Sequence, residues 1–134
     1  MPETLNITNR QILSLHAALR ALDGMPSGSE FIRFEFADNV AWNITKNLII
    51  AENAAVAYER RKGQIMREAG ICQGQTVTAE NAVAVAKMLD RLEALKDETN
   101  DLTGLLFLKR ADLKCEVNKI PPSVRAGLDP IIRA

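Results

Sequence analysis

From Ile44 to Ile65 the chain sets Ile44, Leu48, Ala51, Ala55, Tyr58 and Ile65 in a row that advances alternately by four and three residues, with Lys62 in the one remaining place. An α-helix closes a turn every 3.6 residues, so such steps stack side chains along one face. Ala41 and Ala69 extend the phase in both directions. The pattern predicts a helix from about Asn39 to Ala69, capped by Asp38 and stopped by Gly70. At ~1.5 Å per residue it runs roughly 45 Å, further than a compact chain of this length requires. Its apolar seam therefore needs a long cover, from other helices of the chain or from a second copy. Ala51 and Ala55 let that cover approach closely. Lys62 penalises registers that would bury it, and Gly63 weakens the far end by about 1 kcal/mol relative to alanine.

A shorter helix precedes the seam. In "NITNRQILSLHAALRALDG", Thr8 and Gln11 have the spacing of a capping box, and Ile7 and Ile12 stand where a hydrophobic staple closes. Ile12, Leu15, Leu19 and Leu22 keep helical spacing and Gly24 offers a left-handed stop, which predicts a helix over about Asn9 to Leu22. "MPSGS" is a turn. "EFIRFEF" then alternates Phe31, Arg33 and Glu35 against Ile32, Phe34 and Phe36, and is expected to be a short strand anchored in the core.

After the long helix, Thr78 is the expected cap of a helix over about Ala79 to Lys96, carrying Ala82, Val85, Leu89 and Leu92 in the same rhythm. The short connection folds it back antiparallel along about two-thirds of the long helix, leaving the seam near Ile44, Leu48 and Ala51 for the first helix or another subunit. Residues 102–111 fit either a short helix or an extended segment. "DLKCEVNKI" alternates Leu113, Cys115 and Val117 and is expected to be a strand paired with "FIRFEF". "PPSVRAGLDPIIRA" has a proline stop and a Ser123 cap, followed by a turn or two of helix before Pro130, with Leu128, Ile131 and Ile132 left to pack. The expected architecture is a mainly helical single domain over 1–134. It comprises a long antiparallel helical hairpin, an N-terminal helix packed on it and a minor two-stranded β element.

Chemistry is sparse along this chain. His16 is the one histidine, without a carboxylate four residues away, and neither Ser14 nor Cys72 sits in a nucleophile-type turn. Cys72 and Cys115 form no CxxC and are expected to be free thiols, with no metal site and no cofactor. Phosphate-binding glycine loops are missing, and the carboxylates Asp97, Glu98 and Asp101 lack the spacing of a calcium loop. The chain is read as non-enzymatic. Seventeen basic residues balance seventeen acidic ones, which disfavours general nucleic-acid binding. "ERRKG" is the densest basic run, so Arg60, Arg61, Lys62 and Arg67 make a candidate patch for an anion or an acidic partner. No apolar run reaches the ~18 residues of a membrane helix, and the expected location is the cytoplasm.

Three phrases, "LNITNRQILSLHAALRAL", "VAWNITKNLIIAENAAVAYERRKGQIMREAG" and "DLKCEVNKIPPSVRAGLDPII", resemble small helical accessory or assembly proteins of tailed phages and prophages. The middle phrase is the most specific, through Trp42, Asn43, Lys46, Asn47, Tyr58, Glu59 and Arg61. The chain departs from that pattern in "FIRFEF" and in its alanine-rich helix. The resemblance implies a non-enzymatic protein of the bacterial host cytoplasm, with a role in assembly or host interaction. The seam adds the expectation of a homo-oligomer, a dimer first, with another phage or host protein as a further partner. The alternatives are a small-ligand binder holding an anionic signal molecule or nucleotide at the basic patch, and a nucleic-acid-binding module.

Overall fold

The computed structural model describes residues 4–27, 29–71, 76–113 and 120–133. Its elements run β1 (Thr4–Thr8), α1 (Asn9–Leu22), β2 (Met25–Ser27), β3 (Glu30–Ile32), α2 (Asp38–Ala69), α3 (Ala82–Asp97), β4 (Thr99–Thr103), β5 (Leu108–Lys109), α4 (Pro122–Leu128) and β6 (Ile132–Arg133), with 3₁₀ turns over Arg110–Leu113 and Asp129–Ile131. The fold is mainly helical, and the long α2 packs against α1.

Local chemistry sets the helix ends. The Thr8 hydroxyl accepts from the Gln11 amide at 3.1 Å, and the Gln11 side chain accepts from the Thr8 amide at 2.9 Å, closing the capping box that starts α1. Gly24, with φ 139°, turns the chain out of α1. Gly70, with φ 73°, ends α2, and its amide and that of Ile71 bond back to Arg67 and Met66. Asp38 does not cap α2. Ala37 holds the cap position without a side-chain hydrogen bond, and Asp38 sits in the first turn, where its charge favours the positive end of the helix dipole. Nor does Thr78 cap a helix at Ala79. Asn81 accepts from the Thr78 amide at 2.7 Å and donates to the Thr76 carbonyl, holding a turn that delays α3 to Ala82. In α4 the cap position is Pro121, with Pro122 at the first helical residue, so Ser123 lies inside the helix.

The strands correct several expectations. "FIRFEF" is extended only at its start, where β3 pairs antiparallel with β2 and Ser27 stands opposite Glu30. A local hairpin closes a far shorter loop than pairing with "DLKCEVNKI" would, so it costs less entropy. Phe34 is nevertheless buried and Phe36 half-buried. Asp112 and Leu113 fall in a 3₁₀ turn, and Cys115 and Val117, like Cys72, lie outside the described residues. The residues from 102 onward are mostly extended or irregular up to Lys109. Two further ladders were not expected. β1 pairs antiparallel with β4 from Thr4↔Thr103 to Thr8↔Thr99, and β5 pairs in parallel with β6.

Two apolar clusters divide the long helix between them. Val40, Ile44 and Ala51 join Ile12, Leu15, Leu19 and Leu22 of α1, together with Leu102, Leu105, Leu108, Val124, Leu128 and Ile131. Tyr58 and Ile65 join Ile71, Met88 and Leu95, with Leu13 of α1 and Met66, Ala84, Val85 and Leu92 half-buried against them. The antiparallel run of α3 shows in two contacts: Arg91 donates to Glu68 at 2.6 Å, and Tyr58 faces the same cavity as Leu95. α4 crosses α1 so closely that a Cβ on Gly127 would stand 2.6 Å from the Ser14 carbonyl oxygen. Asn47, fully buried, donates to the Leu106 carbonyl and accepts from its amide, both at 2.7 Å. A buried amide so paired satisfies backbone groups in a segment that has no sheet partner.

Candidate functional site

α2 carries both of the residue groups marked by sequence, and the structure separates them. Of the seam, Ile44, Ala51, Ala55, Tyr58 and Ile65 are buried within the chain and Leu48 is half-buried against the larger cluster. The uncovered stretch expected around Ile44, Leu48 and Ala51 is closed by α1, because α1 covers the half of α2 that α3 does not reach. The seam is therefore the chain's own core and offers no free docking surface.

The basic run divides around the helix, since neighbouring residues turn ~100° apart. Arg61 reaches Gln64 at 3.3 Å and Glu68 at 3.6 Å. Lys62 is half-buried, and Arg67 lies along Gly63. Arg60 and Arg67, seven residues apart, share the outer side of α2. The four residues do not converge on one ligand.

Arg61 instead meets Tyr58 at a cavity of about 310 Å³ between α1, α2, α3 and β4. Asn9, Glu98, Asn100 and Asp101 line it with them, over an apolar floor that includes Ile12 and Leu95. Asn9 is buried and engaged, donating to the Leu95 carbonyl at 2.7 Å and accepting from Asn100 at 2.5 Å. Tyr58 is buried and lines the cavity from the α2 side. Next to this region α3 is held by exposed ion pairs. Arg91, with Arg61, keeps the Glu68 carboxyl below its ordinary pKa, and Lys96, with Arg10, does so for Glu93. His16, half-buried in α1, has a buried Nε2 without a hydrogen-bond partner among the described residues.

On the far side of α2, opposite the seam, Trp42, Ile49 and Val56 stand 60%, 55% and 54% exposed. They are seven residues apart, and such positions drift only ~20° per step around a helix, so they form one stripe. Lys46 lies over the Trp42 ring, 5.3 Å from its centroid. Sequence periodicity missed this stripe, because one apolar residue in seven among charged neighbours registers as a solvated face.

Among the described residues no helix is long and apolar enough to cross a membrane, and no three His, Cys, Asp or Glu side chains gather to hold a metal ion. Comparison with protein-family models, curated proteins and solved structures finds no match.

Proposed function

We propose that this chain is a non-enzymatic accessory protein of the phage or prophage type, acting in the bacterial cytoplasm through protein–protein contact and self-association. One observation carries the reading: α2 has a second apolar face, and none of the described residues covers it. The inner face is already satisfied by α1 and α3, while Trp42, Ile49 and Val56 are held in line on a rigid helix with more than half of their surface in water. Beyond the Lys46 contact to Trp42 the single chain makes little use of these side chains, whereas burying their remaining surface against a partner contributes about 1–2 kcal/mol each.

Trp42 is the single tryptophan, so its emission reports directly on this face. Raising the concentration of the wild-type protein, or adding the true partner, should shift the emission to the blue as Trp42 leaves water. Ile49→Asp should abolish the shift without altering the melting temperature. Emission unchanged by protein concentration and by candidate phage and host partners would remove the basis of the proposal.

A second reading, small-ligand binding, draws on the Tyr58–Arg61 cavity. The opposed carboxylates of Glu98 and Asp101 make a zwitterion a better fit there than a nucleotide, whose phosphates they would repel. A melting temperature unmoved by amino acids at millimolar concentration would dispose of this second reading.

A further inference from the structure

The outer stripe of α2 is edged by charges sorted by sign. Trp42, Ile49 and Val56 lie seven apart, and Gly63 continues the line. Along one edge, three residues further on in each repeat, stand Asp38, Thr45, Glu52 and Glu59. Along the other, four residues further on, stand Asn39, Lys46, Asn53, Arg60 and Arg67. One edge thus holds three carboxylates and a hydroxyl, and the other holds only cations and amides. Asp38, Thr45, Lys46, Glu52, Asn53, Glu59, Arg60 and Arg67 are all exposed. Among the described residues none of the charged ones forms an ion pair.

We infer that the partner of this face is a second copy of the chain, its α2 lying parallel to the first about a two-fold axis along the helices. This rests on the docking role proposed above for the outer face of α2. The edges select the geometry. In a parallel pair the two-fold sets the acidic edge of each helix against the basic edge of the other at the same height. Glu59 then meets Arg60 of the second copy, Glu52 meets Asn53 and Thr45 meets Lys46, each contact occurring twice. In an antiparallel pair acid faces acid and base faces base along the whole contact. Edge charges of this kind set orientation in paired helices, and like charges brought together oppose the wrong one. With one apolar residue per heptad at the contact line the seam is narrow, so the dimer is weak, with a dissociation constant on the order of micromolar.

Sedimentation velocity on the intact chain tests this with variants that leave the core untouched. Glu59→Arg and Arg60→Glu should each weaken the dimer about fivefold, and the double exchange Glu59→Arg/Arg60→Glu should restore it. Under antiparallel pairing Glu59→Arg strengthens association instead, which overturns the inference. In a Cys72→Ser/Cys115→Ser background, Ile49→Cys and Val56→Cys should both form intersubunit disulfides on mild oxidation, since a parallel pair brings each position to its own counterpart. An antiparallel pair can link at most one of the two, and that result also overturns the inference. The failures are separable. A blue shift of Trp42 with protein concentration but without double cross-linking rejects the parallel register and leaves self-association standing. A monomer at hundreds of micromolar rejects the second copy, while a shift produced only by another protein keeps the docking role of the face.

Discussion

The two halves of α2 are built from the same alternation of three and four residues, yet they sit in different surroundings. The N-terminal half, from Val40 to Ala51, is wrapped by α1, by the 102–108 segment and, through α1, by α4, with fully buried Leu15, Leu19, Leu108, Leu128 and Ile131 at its centre. The C-terminal half, at Tyr58 and Ile65, belongs to the smaller cluster, built mainly with α3 and with Leu13 of α1 at its side. Where the apolar contact is thin, surface charge takes over. Arg91–Glu68 ties α3 to α2, and Arg10–Glu93 ties it to α1. A regular seam is therefore no guarantee of regular stability. The wrapped half should carry the global stability, and α3 should open on its own.

The largest test compares core truncations. Leu15→Ala should cost about 4 kcal/mol and Met88→Ala about 2 kcal/mol in urea unfolding, within the usual range for buried aliphatic side chains. Equal costs would erase the distinction between the halves. Asn47→Leu comes next at about 3 kcal/mol, because it strands both the amide and the carbonyl of Leu106 inside the wrapped half. Gly127→Ala should cost about 2 kcal/mol by forcing α4 off α1. A neutral result there would mean that α4 is loosely docked.

The smallest effect concerns the thin half. Glu68 and Glu93 have folded pKa values below the ordinary 4.5. Their contribution is therefore present above that pH and is lost as pH falls through the lowered folded values. Protection factors for α3 amides should drop over that range before those of α1 do, and Glu68→Gln should blunt the difference. High salt should do the same, since these pairs are exposed and screened.

How much of this was legible depends on how local each signal is. The bounds of α1 follow from Thr8, Gln11 and Ile7 within a few residues of its start, and those of α2 from periodicity and Gly70. β1 and β4 are not legible in sequence because each has a single buried residue, Ile7 in one and Leu102 in the other. Their pairing is decided by a partner far along the chain, as with Asn6 donating to Asp101 at 2.7 Å. In "FIRFEF" alternation extends beyond the pairing, which ends at Ile32. Phe34 is buried without any ladder, which only three-dimensional packing could decide. At the candidate site, sequence identified the seam as apolar but could not say that α1 would cover it. That closure leaves Trp42, Ile49 and Val56, on the opposite side, as the exposed large apolar residues of α2.

The two outer ladders also set a clock. Thr4 waits 99 residues for Thr103, and at a synthesis rate of about 5–20 residues per second that is roughly 5–20 s. β5 must wait in turn for Ile132 and Arg133. During that interval α1 and α2, adjacent along the nascent chain, are free to find each other, whereas β1 has nothing to pair with. Loop closure over so long a separation is slow even in a finished chain. Amide protection should thus arise in α1 and α2 first and in β1 only later. The clasp joining residues 4–8 to 99–103 then acts as a late latch on a helical pair assembled much earlier.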